Sequence, residues 1–109
     1  MKTRNGFVSN SSSTSFIITN NTNENKTIFD FARENLYLFD QYEEEYGHGY
    51  MLSDFIRSAE EDDTTLWPGE NMVTFGDEDG TVIGAIYDYI LRDGGHSKNF
   101  SWSLNEYLR

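Results

Sequence analysis

The 109-residue chain has no cysteine, which excludes disulfides and every thiolate-ligated metal site and suits a cytoplasmic protein. It has one proline, Pro68, so backbone interruptions must come from glycine, asparagine and aspartate. No apolar run approaches the length of a membrane-spanning helix. After Lys2 and Arg4 the only apolar residues before a serine tract are Phe7 and Val8, too short a block for a secretory signal. Basic residues are scarce as well: eight Lys and Arg stand against nineteen Asp and Glu, for a net charge of −11. Such a surface repels phosphate backbones, so direct nucleic-acid binding is disfavoured, while a basic protein partner is compatible with it.

What is present is aromatic and acidic. Eight Phe, seven Tyr and two Trp make 16% of the chain, enough to carry a single core at this length. Charge is segregated along the sequence. Residues 1–26 carry a net +2, residues 27–80 carry −13, and residues 81–109 balance. The commonest meaning of such acidity is solubility, and any functional claim has to be weighed against that.

Hydrophobic spacing predicts the elements. Ser15–Thr19 is expected as a strand, with Phe16 and Ile18 on one face. Thr27 and Asp30 form an [ST]-x-x-[DE] capping box. From there Ile28, Ala32, Leu36, Phe39, Tyr42 and Tyr46 recur at helical steps, which predicts one helix over 28–46. A second helix is expected over 50–62, with Met51, Leu52, Phe55, Ile56 and Ala59 as its apolar stripe. Strand 71–76 follows the Trp67-Pro68-Gly69 turn, then a helix from Val82 to Ile90, then a strand on which Phe100, Trp102 and Leu104 alternate with polar residues. The order β-α-α-β-α-β predicts a two-layer α+β domain, a small three-stranded sheet under three helices. The segment from Met72 to Leu104 reads as a βαβ crossover between parallel strands. Residues 15–109 are expected as one compact acidic domain behind a Ser-rich N-terminal segment, 1–14, that is partly anchored. Phe7 and Phe16 are expected to pack on the core, with Ser11 to Ser13 exposed.

Chemistry-bearing groups are few. Asp77 and Asp79, in the loop Gly76-Asp77-Glu78-Asp79-Gly80, are the weak metal candidates, since hard cations want several oxygens from a tight turn. EF-hand spacing fails there, because Phe75 and Ile86 fall at ligand positions. A helix cap by Asp77 or Asp79 is the commoner role. His48 and His96 lie in separate glycine-flanked loops without zinc-site spacing. No nucleophile elbow and no phosphate-binding glycine loop is present. No cofactor and no catalytic residue is therefore expected. The partner-binding candidates are Glu43, Glu44 and Glu45 together with Glu60, Glu61, Asp62 and Asp63.

The stretch Arg4-Asn5-Gly6-Phe7-Val8-Ser9-Asn10-Ser11-Ser12-Ser13-Thr14-Ser15-Phe16 resembles the RxGFVSNSSSSSF signature that opens many small uncharacterised proteins of tailed phages and their bacterial hosts. Thr14 for Ser is the one departure in the tract. Segments 75–81 and 97–109 are similar to patterns that recur in the same proteins. The resemblance implies no activity. Its context implies a phage-encoded accessory protein in the host cytoplasm, binding another protein. Anti-defence inhibition or nucleic-acid mimicry would be its mode of action, and the partner would be basic. The alternative is a virion or assembly component whose Ser-rich N-terminus is a sorting or processing signal.

Overall fold

The computed structural model describes residues 13–47, 49–76 and 80–108. The fold is α+β, as expected, but its count and order differ from the sequence reading. Among the described residues there are four α-helices, a four-stranded antiparallel sheet and a separate two-stranded one.

Strand β1 (Ser13–Asn20) lies inside the large sheet, between β4 (Gly69–Phe75) and β6 (Phe100–Leu108), with the short β5 (Gly95–His96) beyond β6. Both β4 and β6 pair antiparallel with β1. The predicted parallel βαβ pair is thereby corrected. Strands β4 and β6 run in the same direction, but the N-terminal strand is inserted between them. Local spacing between residues 72 and 104 cannot reveal this, because the inserted strand comes from the other end of the chain. The remaining pair, β2 (Lys26–Thr27) with β3 (Thr65–Leu66), is too short for periodicity to detect.

The helix expected over 28–46 is two helices, α1 (Ile28–Glu34) and α2 (Tyr37–Tyr46). The capping box at Thr27 and Asp30 is present. Asn35 makes the break: its backbone leaves the helical region at φ −125° and ψ 45°, and its amide Nδ2 donates to the Phe31 carbonyl at 3.0 Å. Asparagine side chains compete in this way with the helical ladder. Apolar spacing continues across the break, so periodicity alone joins the two segments.

Helix α3 covers Leu52–Glu61. Leu36 and Tyr46, counted in the first predicted stripe, and Met51 and Leu52, counted in the second, are all exposed. Helix α4 covers Val82–Ile90 and is the most buried, in agreement with its all-round apolar sequence. Its cap is Thr81, whose hydroxyl accepts from Gly84 N at 3.0 Å, and not Asp77 or Asp79, which lie outside the described residues.

The helices bury one face of the sheet. Phe31 of α1 meets Phe100 and Trp102 of β6 edge-on, each with ring centroids 5.3 Å apart, and Tyr87 of α4 at 5.5 Å. Tyr87 continues the cluster to Phe55 of α3 and Phe75 of β4. Edge-to-face contacts of this kind add roughly 0.5–1.5 kcal/mol each beyond burial. The aromatic richness of the sequence is concentrated at this layer boundary.

The start of β1 carries a second correction. Phe16 is fully buried, as expected, but Ser13 is buried too, as are Thr14 and Ser15. A polar run sits in a central strand because each hydroxyl has a place. Thr14 Oγ1 donates to the Asp88 carboxylate on α4 at 2.5 Å. Ser15 Oγ accepts from Asn105 Nδ2 at 3.2 Å, where a shift of register between β1 and β6 leaves Asn105 as the extra residue. Ser13 is pressed against Gly76, so closely that a Cβ on Gly76 would come 2.7 Å from the Ser13 Oγ. Only glycine fits there. Phe7, Ser9, Asn10, Ser11 and Ser12 of the signature lie outside the described residues.

Candidate functional site

The seven acidic candidates occupy the C-terminal ends of α2 and α3. Helix α2 buries Leu38, Phe39 and Tyr42 and so turns Glu44 and Glu45 outward. It stops at Gly47, whose φ of 62° lies in the left-handed region and whose N–H returns to the Glu43 carbonyl at 2.8 Å. Glu43 itself folds over the next turn. Its Oε1 accepts from Gly49 N at 2.8 Å and its Oε2 from Tyr50 N at 3.3 Å. Glu45 accepts from Gln41 Nε2 at 3.5 Å.

Helix α3 buries Phe55 and Ala59, which places Glu60 and Glu61 on its outer side. Asp62 ends the helix, and its Oδ1 accepts from Thr64 N at 2.9 Å to start the approach to β3. Asp63 is exposed. The nearest cation along α3, Arg57, pairs with Asp54 at 3.5 Å rather than with Glu60 or Glu61. The side chains of four of the seven, Glu44, Glu60, Glu61 and Asp63, therefore have no hydrogen bond or ion pair among the described residues.

The two acidic groups do not merge into one patch. Glu43 holds the turn that leads into α3, whereas Glu60 to Asp63 stand at its far end. The eight helical residues of α3 that precede Glu60 separate them by roughly 12 Å. The stronger focus is the α3 end. There the carboxylates add to the partial negative charge of the helix C-terminus, a placement that costs stability rather than contributing it.

The fold also builds a cleft that sequence reasoning missed. It has a volume of about 320 Å³ and is lined by Lys26, Asp30, Arg33, Glu34, Asn99 and Phe100. Its carboxylates are already engaged. Asp30 accepts from Thr27 N at 3.0 Å and from the Thr27 hydroxyl. Glu34 accepts from the Ser97 hydroxyl and from both the backbone N and Nδ2 of Asn99, each at 2.8 Å. Desolvation pushes the Glu34 carboxyl pKa up, but the Ser97 and Asn99 hydrogen bonds, with Lys98 nearby, outweigh it and hold it below the ordinary value. The two donor residues lie more than sixty positions from Glu34, so no local spacing signals them. The cleft ties α1 to the β5–β6 turn.

His96 is exposed on β5, and His48, Asp77 and Asp79 lie outside the described residues. Among the described residues no group of three or more His, Asp or Glu is placed to hold a metal ion, and no helix is long and apolar enough to cross a membrane. Compared with known proteins, the chain matches no family model, no curated protein and no solved structure.

Proposed function

We propose that this chain is a non-enzymatic accessory protein that acts by binding another protein, with the acidic end of α3 as its principal contact. The observation that carries the proposal is the state of Glu60, Glu61 and Asp63. They crowd the negative end of a helix, and among the described residues none of their carboxylates forms an ion pair. A charge arrangement that costs stability locally and makes no side-chain hydrogen bond or ion pair among the described residues is what an external partner would account for. The partner is basic, and a groove that otherwise holds nucleic acid is the surface such carboxylates fit best. In a phage-encoded setting, as the N-terminal signature suggests, the target would be a host defence or nucleic-acid-handling protein. No observation favours the virion-component reading, since Ser13 to Ser15 of the signature serve inside the sheet.

The test uses the triple variant Glu60→Gln, Glu61→Gln, Asp63→Asn, which leaves Asp62 and its turn intact. Partners captured from bacterial lysate by the native chain should be lost by the variant. A captured nucleic-acid-binding protein should release DNA as the native chain is added. Its association should slow by about tenfold or more in the variant and should weaken as salt is raised. Binding that is unchanged between low and high salt rejects the proposal.

A further inference from the structure

The large sheet ends on one side at β4, and among the described residues no strand pairs with that outer edge. Strand β4 is seven residues long and bonded to β1 along its inner side only, from Thr14↔Phe75 to Thr19↔Glu70. About half of its residues therefore direct N–H and C=O groups away from the sheet. Proteins ordinarily protect such an edge with Lys, Pro, a bulge or a covering segment. Along β4 itself the only charge is Glu70, and Pro68 precedes the strand without lying in it.

The side chains next to this edge form a pattern. Val73 and Phe75 enter the core, while Glu70, Met72 and Thr74 stand exposed on the opposite face, Met72 at 68%. Trp67, 59% exposed, begins the turn into β4. That turn is fixed by Asn71, whose Oδ1 accepts from Trp67 N at 3.0 Å and whose Nδ2 donates to the carbonyls of Trp67, Gly69 and Ile18. An exposed tryptophan on a fixed turn is the kind of anchor that dominates protein interfaces.

We infer that the outer edge of β4 receives an extended basic segment of a partner protein as an added strand. This deepens the reading of a basic partner and rests on it. Main-chain hydrogen bonds would supply the affinity and alternate side chains the selection. A strand laid beside β4 on the exposed face meets Glu70, Met72 and Thr74 in turn. It therefore calls for Lys or Arg, then an apolar residue, then a β-branched or small polar one, at alternate positions. A second copy of this chain is disfavoured as the occupant, because each copy carries −11 and each β4 brings its own glutamate.

The experiment is titration of the ¹⁵N-labelled full chain with short capped peptides carrying Lys, Val and Thr at alternate positions between threonines. The peptides are made in both directions, each with a Glu-for-Lys control. The expected result is shifted amide signals and slowed hydrogen exchange in Gly69–Phe75, with the Lys peptide bound about fivefold tighter than its control. The preference should invert in Glu70→Lys, a change at an exposed position. Native binding in the triple variant of Glu60, Glu61 and Asp63 would separate this site from the α3 contact, so either can fail without the other. The inference is overturned if β4 is unaffected up to about 1 mM peptide, or if Lys and Glu peptides bind alike. Outer β4 amides already protected in the free chain, because its own residues or a second copy fill the edge, would overturn it equally.

Discussion

The hydroxyl of Thr14 lies 2.5 Å from the carboxylate of Asp88, a contact that joins the beginning of the chain to α4 across seventy-four residues. Both residues are fully buried. Arg92, one turn further along, donates to the same carboxylate oxygen at 3.2 Å and to the Asp88 carbonyl at 2.7 Å, with its guanidinium over the rings of Tyr89 and Tyr107. The charge of Asp88 is thus held between a hydroxyl of β1 and a cation covered by aromatic faces.

Thr14→Val keeps the shape of the side chain and removes the donor, leaving a buried carboxylate with less compensation. The expected cost is about 1.5–3 kcal/mol, the range for a hydrogen bond to a charged group. Thr14→Ser retains the hydroxyl and loses one methyl, and should cost roughly 1 kcal/mol. Urea denaturation of the two variants checks this. A Thr14→Val variant as stable as the native chain, with the loss confined to Thr14→Ser, would mean that packing, and not the hydrogen bond to Asp88, explains the threonine.

The same residues show where sequence reading stops. Period-two alternation at Phe100, Trp102 and Leu104 announces β6, and the Thr27–Asp30 spacing announces the start of α1, because both signals are local. A Ser-Thr-Ser run reads as solvent-facing for an equally local reason. Its burial depends on Asp88, Asn105 and Gly76, at distances along the chain that no window spans. The acidic candidates divide in the same manner. Their composition is visible in the sequence. Whether a given carboxylate bonds to a turn, as Glu43 and Asp62 do, depends on where the chain goes next.

Glu34 gives a pH signature. Its folded-state pKa is depressed below 4.5, desolvation being outweighed by hydrogen bonds from Ser97 and Asn99. A depressed carboxyl contributes stability that is present above the unfolded value and lost as pH falls through the folded one. Glu34→Gln should therefore cost about 1–3 kcal/mol at neutral pH, since three donors lose a charged acceptor. The gap between native chain and variant should close below pH 4.5. Chemical denaturation of both proteins across that range tests it. A gap of constant size would show that the carboxylate charge at the cleft does not stabilise the fold.

Glu43 and Glu44 are neighbours in sequence and should behave as opposites. Glu43 bonds the amides of Gly49 and Tyr50, so Glu43→Ala frees two donors in the turn between α2 and α3 and should cost about 1–2 kcal/mol. In a chain of this length that corresponds to a fall in Tm of roughly 4–15 °C. Glu44 is exposed, its side chain engages no group among the described residues, and it adds negative charge to a helix C-terminus. Glu44→Ala should leave stability within about 0.5 kcal/mol, with any change toward greater stability. Thermal unfolding of the two single variants decides between a shared surface role and divided ones. Comparable melting temperatures would return Glu43 to the partner-binding surface. The expected split leaves Glu44 as the carboxylate of the Glu43–Glu45 group that engages nothing among the described residues, and makes the end of α3 the place where the proposed basic partner would meet the most charge.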